Sequence, residues 1–167
     1  RYYFDARNLL SMTTLFTEKG IIALVMAMII VTGNIDISVG STLALSSVVM
    51  GSLFQAGMNI WIAAVFALLT GAACGLLNGY VITRFGLPSV IVTLANFSFF
   101  RGLAYVILGD EAVGGYPKAF QYIGTGTIGN TEIPIVLVVF VILAIIAMVF
   151  LHRTKTGRVL YAIGWNA

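Results

Sequence analysis

Charged side chains are scarce in this sequence: nine basic and six acidic residues among 167, or 9 % of the chain. A soluble domain carries roughly 25 %, because it must clothe its surface for water. These few charges cannot do that. Cysteine is nearly absent too, and the single Cys74 lies in an apolar stretch, which excludes a disulfide framework and a thiol metal site. The single histidine, His152, stands among basic residues at the edge of an apolar run and cannot build a metal site alone. For the same reason the serines find no histidine-plus-acid set for nucleophilic catalysis. Gly-rich pieces such as Gly124-Thr125-Gly126 lack the Lys-Ser/Thr ending of a phosphate-binding loop. No cofactor and no metal is expected, and the chain reads as a non-enzyme. Any ATP-driven role calls for a separate ATPase subunit. The formal charge of +3 is too small and too scattered to suggest nucleic acid as a partner. The chain also opens Arg1-Tyr2-Tyr3-Phe4, with neither a methionine nor a signal-peptide pattern, and so reads as a fragment.

What remains is apolar. Hydrophobic residues make up 60 % of the chain, and the mean hydropathy is +1.04. A membrane-spanning helix needs about 20 apolar residues to cross ~30 Å of hydrocarbon, and three stretches qualify directly: 60–83, 88–108 and 134–151. Before them stand two less regular pieces, 9–32 and 41–56, around the polar, Gly-containing break 33–41. The expected fold is all-α: a polytopic transmembrane helical bundle with a broken or re-entrant helix pair. Irregular backbone survives at membrane depth only where protein or a water-filled cavity satisfies its N–H and C=O groups. The break is therefore expected to point inward.

Arg84 follows one span, and Arg153, Lys155 and Arg158 follow another, on the same side if the three clear helices alternate. The positive-inside rule makes that side cytoplasmic. Arg1, Arg7, Lys19 and Lys118 fall on the other side, as do Asp5, Glu18, Asp110, Glu111 and Glu132. Segment 109–133 is then the main outer loop, and 152–167 a cytoplasmic end.

Within the break, Gly33-Asn34-Ile35-Asp36-Ile37-Ser38-Val39-Gly40-Ser41, the carboxylate of Asp36 costs about 2.5–3.5 kcal/mol on insertion scales at a helix centre. Two readings stand. Asp36 accepts hydrogen bonds from the N–H groups of Ser38, Gly40 and Ser41 and caps the following helix, or it contacts a substrate or proton directly. Arg101 is the second intramembrane charge. With Thr93 and Phe97 it forms an i, i+4 ladder flanked by Asn96, so one polar stripe faces the bundle. Its readings are pairing (with Asp36 or with a backbone break) or snorkelling, against gating or pathway lining. Ala63, Ala67, Gly71, Gly75 and Gly79 form an i, i+4 row of small residues that lets another helix approach closely, and Asn78 is expected to hydrogen-bond across that contact.

The break resembles the Gly-Gly-Ile-Asp-Leu-Ser-Val-Gly-Ser hallmark of permease subunits of bacterial ABC importers for ribose, xylose, rhamnose and autoinducer-2. Asn34 replaces the second glycine and is one of the few side chains that tolerates left-handed backbone. Further matches follow in family order: Leu77-Asn78-Gly79, then Leu87-Pro88-Ser89-Val90-Ile91-Val92-Thr93-Leu94, Arg101-Gly102, and Thr156-Gly157-Arg158 with Tyr161-Ala162-Ile163-Gly164-Trp165-Asn166. Segment 114–120 and the Ile133-Pro134 restart look most like autoinducer-2 or rhamnose permeases. Family permeases are about twice this length, so the resemblance implies part of a larger permease.

The resemblance also implies an importer. A periplasmic sugar-binding protein would deliver a monosaccharide or autoinducer-2-like sugar to loop 109–133. A second permease subunit would complete the path in the bacterial inner membrane, among its lipids. A cytoplasmic ABC ATPase would drive transport through the lead-in that carries Gly157, Arg158, Gly164 and Asn166. Two alternatives remain: a branched-chain amino acid permease, and an ion-coupled carrier or channel using Asp36 and Arg101. The carrier would need inverted internal repeats, and no convincing one is visible.

Overall fold

Apolar runs punctuated by glycine, asparagine and proline fold here as helices separated by short turns. The computed structural model describes residues 6–109, 111–129, 131 and 133–165. Seven helices follow in order: α1 Ala6–Val31, α2 Val39–Gln55, α3 Ile60–Phe85, α4 Ser89–Leu108, α5 Lys118–Thr125, α6 Ile135–Arg153 and α7 Lys155–Trp165. Three of them, α3, α4 and α6, are long and apolar enough to cross a membrane, and α2 is a shorter apolar helix. The described residues form an all-α, polytopic membrane fold.

Contacts divide it into two compact units, one of residues 1–33 and 117–167, the other of 34–116. In the second unit α2 packs on both α3 and α4. Leu45 of α2, Cys74 of α3 and Phe100 and Ala104 of α4 form its buried core, with Val48 and Val49 against them. Local chemistry sets the ends of these helices. Asn59 caps α3 by accepting from the Trp61 N–H at 2.9 Å, and Gly86 ends it in left-handed backbone at φ +61°. Pro88 then stands at the N-cap of α4, one residue outside the helix. At the far end of α2, the Val113 side chain reaches within 2.9 Å of where a Cβ on Gly51 would stand, and the Tyr116 ring lies 5.3 Å from that of Phe54.

In the first unit α1 packs on α6, and both α1 and α6 pack on α7. Segment 109–133 is not wholly loop: Lys118–Thr125 is helical. An isolated bridge between Thr127 and Pro134 closes the turn into α6. The basic end is helical as well. Thr154 ends α6, its hydroxyl accepts from the Gly157 N–H at 3.0 Å, and α7 begins at once. A Cβ on Gly157 would strike the carbonyls of Phe150 and Leu151. A Cβ on Gly164 would strike the carbonyl of Val31, where α7 meets the last turn of α1.

The small-residue row of α3 packs along only part of its length. Ala63 is fully buried, Ala67 is half-buried, and a Cβ on Gly71 would lie 3.3 Å from Ser46 Oγ. Gly75 and Gly79 have nothing within 4 Å of a Cβ position, and the buried face continues through Cys74 and Asn78 instead. The reason is geometric. An i, i+4 step overshoots one turn by about 40°, so four steps carry the row some 160° round the helix. A nearly straight neighbour follows the 3.6-residue period. Gly71→Leu is therefore expected to destabilise the chain by about 1–3 kcal/mol through overpacking. Gly75→Leu should stay within about 0.5 kcal/mol. Thermal unfolding of the two variants in detergent checks this, and equal losses would place a further helix on Gly75.

Candidate functional site

Between α1 and α2 the backbone leaves helical geometry for a few residues, and the sequence dictates where. Gly33 takes φ +77°, its N–H bonding back to the Ile30 carbonyl at 2.9 Å, as a glycine past a helix end does. Among the described residues no non-glycine has positive φ. Asn34 therefore does not use the left-handed freedom expected of it, because Gly33 has already made the turn. Residues 34–37 have no regular secondary structure.

Irregular backbone in an apolar setting needs partners, and α4 supplies them. The Ile35 N–H donates to Ser89 Oγ at 3.2 Å, and the Ile37 N–H donates to Thr93 Oγ1 at 3.2 Å. Ser89 and Thr93 stand one helical turn apart and so face the same way, which lets one face of α4 take both N–H groups. Ser89 was not singled out in the sequence. The signal available was a hydroxyl four residues before Thr93.

Asp36 makes one of its three expected bonds, to the Ser38 N–H, and does not cap α2. Its Oδ1 accepts from the Ser38 N–H at 2.8 Å and from Ser38 Oγ at 2.7 Å, a turn closed on the residue two positions on. The N-cap of α2 is Ser38, two residues beyond Asp36, so the carboxylate does not reach the first-turn N–H groups of Gly40 and Ser41. Ser41 instead turns its hydroxyl back to the Ser38 carbonyl at 2.8 Å.

From Ser38 a polar relay crosses the unit. Asn78 Nδ2 donates to Ser38 Oγ at 2.7 Å, and Asn96 Nδ2 donates to Asn78 Oδ1 at 2.6 Å. The direction follows from its end. A carboxylate oxygen only accepts, so Ser38 must donate to Asp36 and accept from the Asn78 amide; Asn78 is left with its carbonyl for Asn96. Protons thus point one way along Asn96–Asn78–Ser38–Asp36, an arrangement in which each bond polarises the next. Ser38 is 0 % exposed, Thr93 1 % and Asn78 5 %. Together they tie the start of α2 to α3 and α4. Asp36→Asn keeps an acceptor oxygen and is expected to fold as the parent does, whereas Asp36→Ala should lose about 1 kcal/mol. Denaturation midpoints of the two variants separate an acceptor role from a need for charge.

The expected polar stripe on α4 divides in two. Thr93 and Asn96 face the break and the relay. Arg101 lies farther along the helix with its guanidinium 6.0 Å from the centroid of the Phe97 ring. No bond joins it to Asp36, whose partner is Ser38. A cation over a ring gains about 0.5–1 kcal/mol at an exposed site, less than the cost of placing arginine in mid-membrane. Arg101 opens on a cleft of about 420 Å³ between α2 and α4, walled also by Gly40 and Ser41.

Of the lead-in residues, Gly157 is buried in the α6–α7 turn, Arg158 is exposed and Gly164 is half-buried. Asn166 lies outside the described residues. No group of three or more metal-ligating side chains occurs among the described residues.

Residues 8–167 match the family described as "Branched-chain amino acid transport system / permease component". The chain is 38 % identical, over 98 % of its length, to the Autoinducer 2 import system permease protein LsrD of Yersinia enterocolitica. It is 37 % identical over the same share to the proteins of that name from Yersinia pestis and Yersinia pseudotuberculosis. The chain spans about half the length of these curated relatives, 50 % of each. No solved structure matches it significantly.

Proposed function

The chain belongs to the family of branched-chain amino acid transport system permease components, and we propose that it serves in a bacterial ABC importer as a membrane-spanning permease subunit for an autoinducer-2-like sugar. The observation that carries the substrate class is the similarity to autoinducer 2 import permeases along nearly the whole chain. The site suits a conduit: its polar groups hold a non-helical segment between helices.

In this reading the chain sits in the inner membrane, with the turn 86–88 and α7 on the cytoplasmic side. A periplasmic binding protein brings the sugar to 109–133. A second permease subunit completes the path, and a separate ATPase acts through the region of α7. Asp36, Ser38, Asn78 and Asn96 hold the broken helix as one wall of that path.

The family's description favours a second reading, a branched-chain amino acid as cargo. Vesicles containing the complete transporter, loaded with ATP and supplied with its binding protein, separate the two. Uptake of labelled autoinducer-2 that stops without ATP is expected. Uptake of labelled leucine in its place would overturn the sugar reading, and uptake of either without any ATPase would overturn the importer.

A further inference from the structure

Arg101 has a better use than covering Phe97. A guanidinium carries five N–H donors and no acceptor, and the described walls of its cleft hold no carboxylate. Its complement is a ligand rich in oxygen. Across the cleft, α2 presents Gly40, Ser41 and Ala44, and nothing lies within 4 Å of a Cβ position on Gly40. A ligand can therefore come close to the α2 backbone. On the α4 wall Phe97, Arg101 and Tyr105 recur every four residues and so lie along one face. That face offers in turn an aromatic surface, a cation and a phenolic hydroxyl. The volume, about 420 Å³, is at the small end of the ~300–1,000 Å³ range of ligand pockets.

The make-up of the walls decides between ligand classes. Ser41 is buried and has committed its proton to the Ser38 carbonyl, so the donors left to the cleft are Arg101 and the Tyr105 hydroxyl. The rest of the described wall is largely apolar, with Ala44, Val48, Phe97, Ala104 and Leu108, which a compact phosphate or carboxylate would leave uncovered. A sugar hydroxyl accepts from Arg101 while the C–H face of the ring suits Phe97 and the apolar wall. We infer that the cleft between α2 and α4 is a station for a neutral, polyhydroxylated ring on its way through the permease, with Arg101 its principal donor and Tyr105 its second contact. The inference rests on the import reading above and adds to it where the substrate is recognised within the membrane.

The test uses the complete transporter in proteoliposomes, with labelled autoinducer-2 as the probe. Arg101→Gln is expected to lower uptake about tenfold, the loss of one strong hydrogen bond, and Tyr105→Phe to lower it severalfold. Val106→Ala, on a side chain 83 % exposed away from the cleft, should leave uptake as it was. Independently, Ala44→Cys in a Cys74→Ser background should react with a charged, membrane-impermeant methanethiosulfonate. Autoinducer-2 should slow that reaction and inorganic phosphate should not. Unchanged uptake by Arg101→Gln would overturn the inference. So would an Ala44→Cys that stays unreactive with and without ATP, which would mean protein or lipid covers the cleft, and so would protection by phosphate. If the unmodified transporter imports no autoinducer-2, the import reading fails, and the ligand assigned here fails with it.

Discussion

Replacing Asn78 by leucine is expected to cost about 1–3 kcal/mol and to lower the thermal midpoint of the detergent-purified chain by several degrees. Asn78 is the middle of the relay. It gives a proton to Ser38 Oγ at 2.7 Å and takes one from Asn96 at 2.6 Å. A leucine leaves Ser38, at 0 % exposure, without the donor its oxygen accepts from, and a buried polar group stripped of its partner costs more than the bond it lost. Interhelical hydrogen bonds in membrane proteins contribute about 0.6 kcal/mol on average, so two bonds alone would give the low end of this range. The orphaned groups supply the rest. A double-mutant cycle sharpens the result. Asn96→Leu alone should destabilise, yet add little once Asn78 is already leucine, because both act through one chain of bonds. Full additivity would show that Asn96 and Asn78 act separately and would sink the relay.

The second large effect is expected at Gly164. A side chain there meets the backbone carbonyl of Val31, and backbone cannot swing aside as the end of a flexible side chain can. Gly164→Val should therefore push α7 off the last turn of α1, at a cost at or above the ~1–3 kcal/mol of ordinary overpacking. Trypsin reports it: cleavage after Lys155 and Arg158, both exposed at the start of α7, should quicken several-fold as the helix loosens. Cleavage at the parental rate would mean that α7 does not rest on α1. The position bears on transport because α1 leads directly into the Gly33 turn. In the proposed importer, α7 would be where motion of the ATPase enters the permease. A variant that keeps hydrolysing ATP while importing less would be the functional counterpart.

Gly71 and Gly75 show how far a linear pattern can be trusted. Both belong to the same i, i+4 row, yet Ser46 stands 3.3 Å from a Cβ on one, while the other faces open space. The row is visible in the sequence. Which of its members meets a neighbour depends on how that neighbour crosses, and only packing decides that. Arg101 teaches the same lesson from the polar side. Its spacing from Thr93 places both on one helix, but the break takes Thr93 and leaves Arg101 to the cleft.

The sequence by itself determined that the chain is a helical membrane protein, where its three clear spans lie, and that its backbone breaks at Gly33. These are consequences of composition and of glycine and proline chemistry, which act over a few residues. The tertiary structure decided what the break is for. Asp36 closes a turn on Ser38 rather than capping α2, because the N-cap of the helix falls two residues after the carboxylate. Ser89 and Thr93 hold the irregular backbone of the break, and Asn78 and Asn96 continue the chain of hydrogen bonds from Ser38. Those partners stand 40 to 56 residues from the groups they meet, or 18 from one another. Spacing along the chain carries no information about which helices will bring them together.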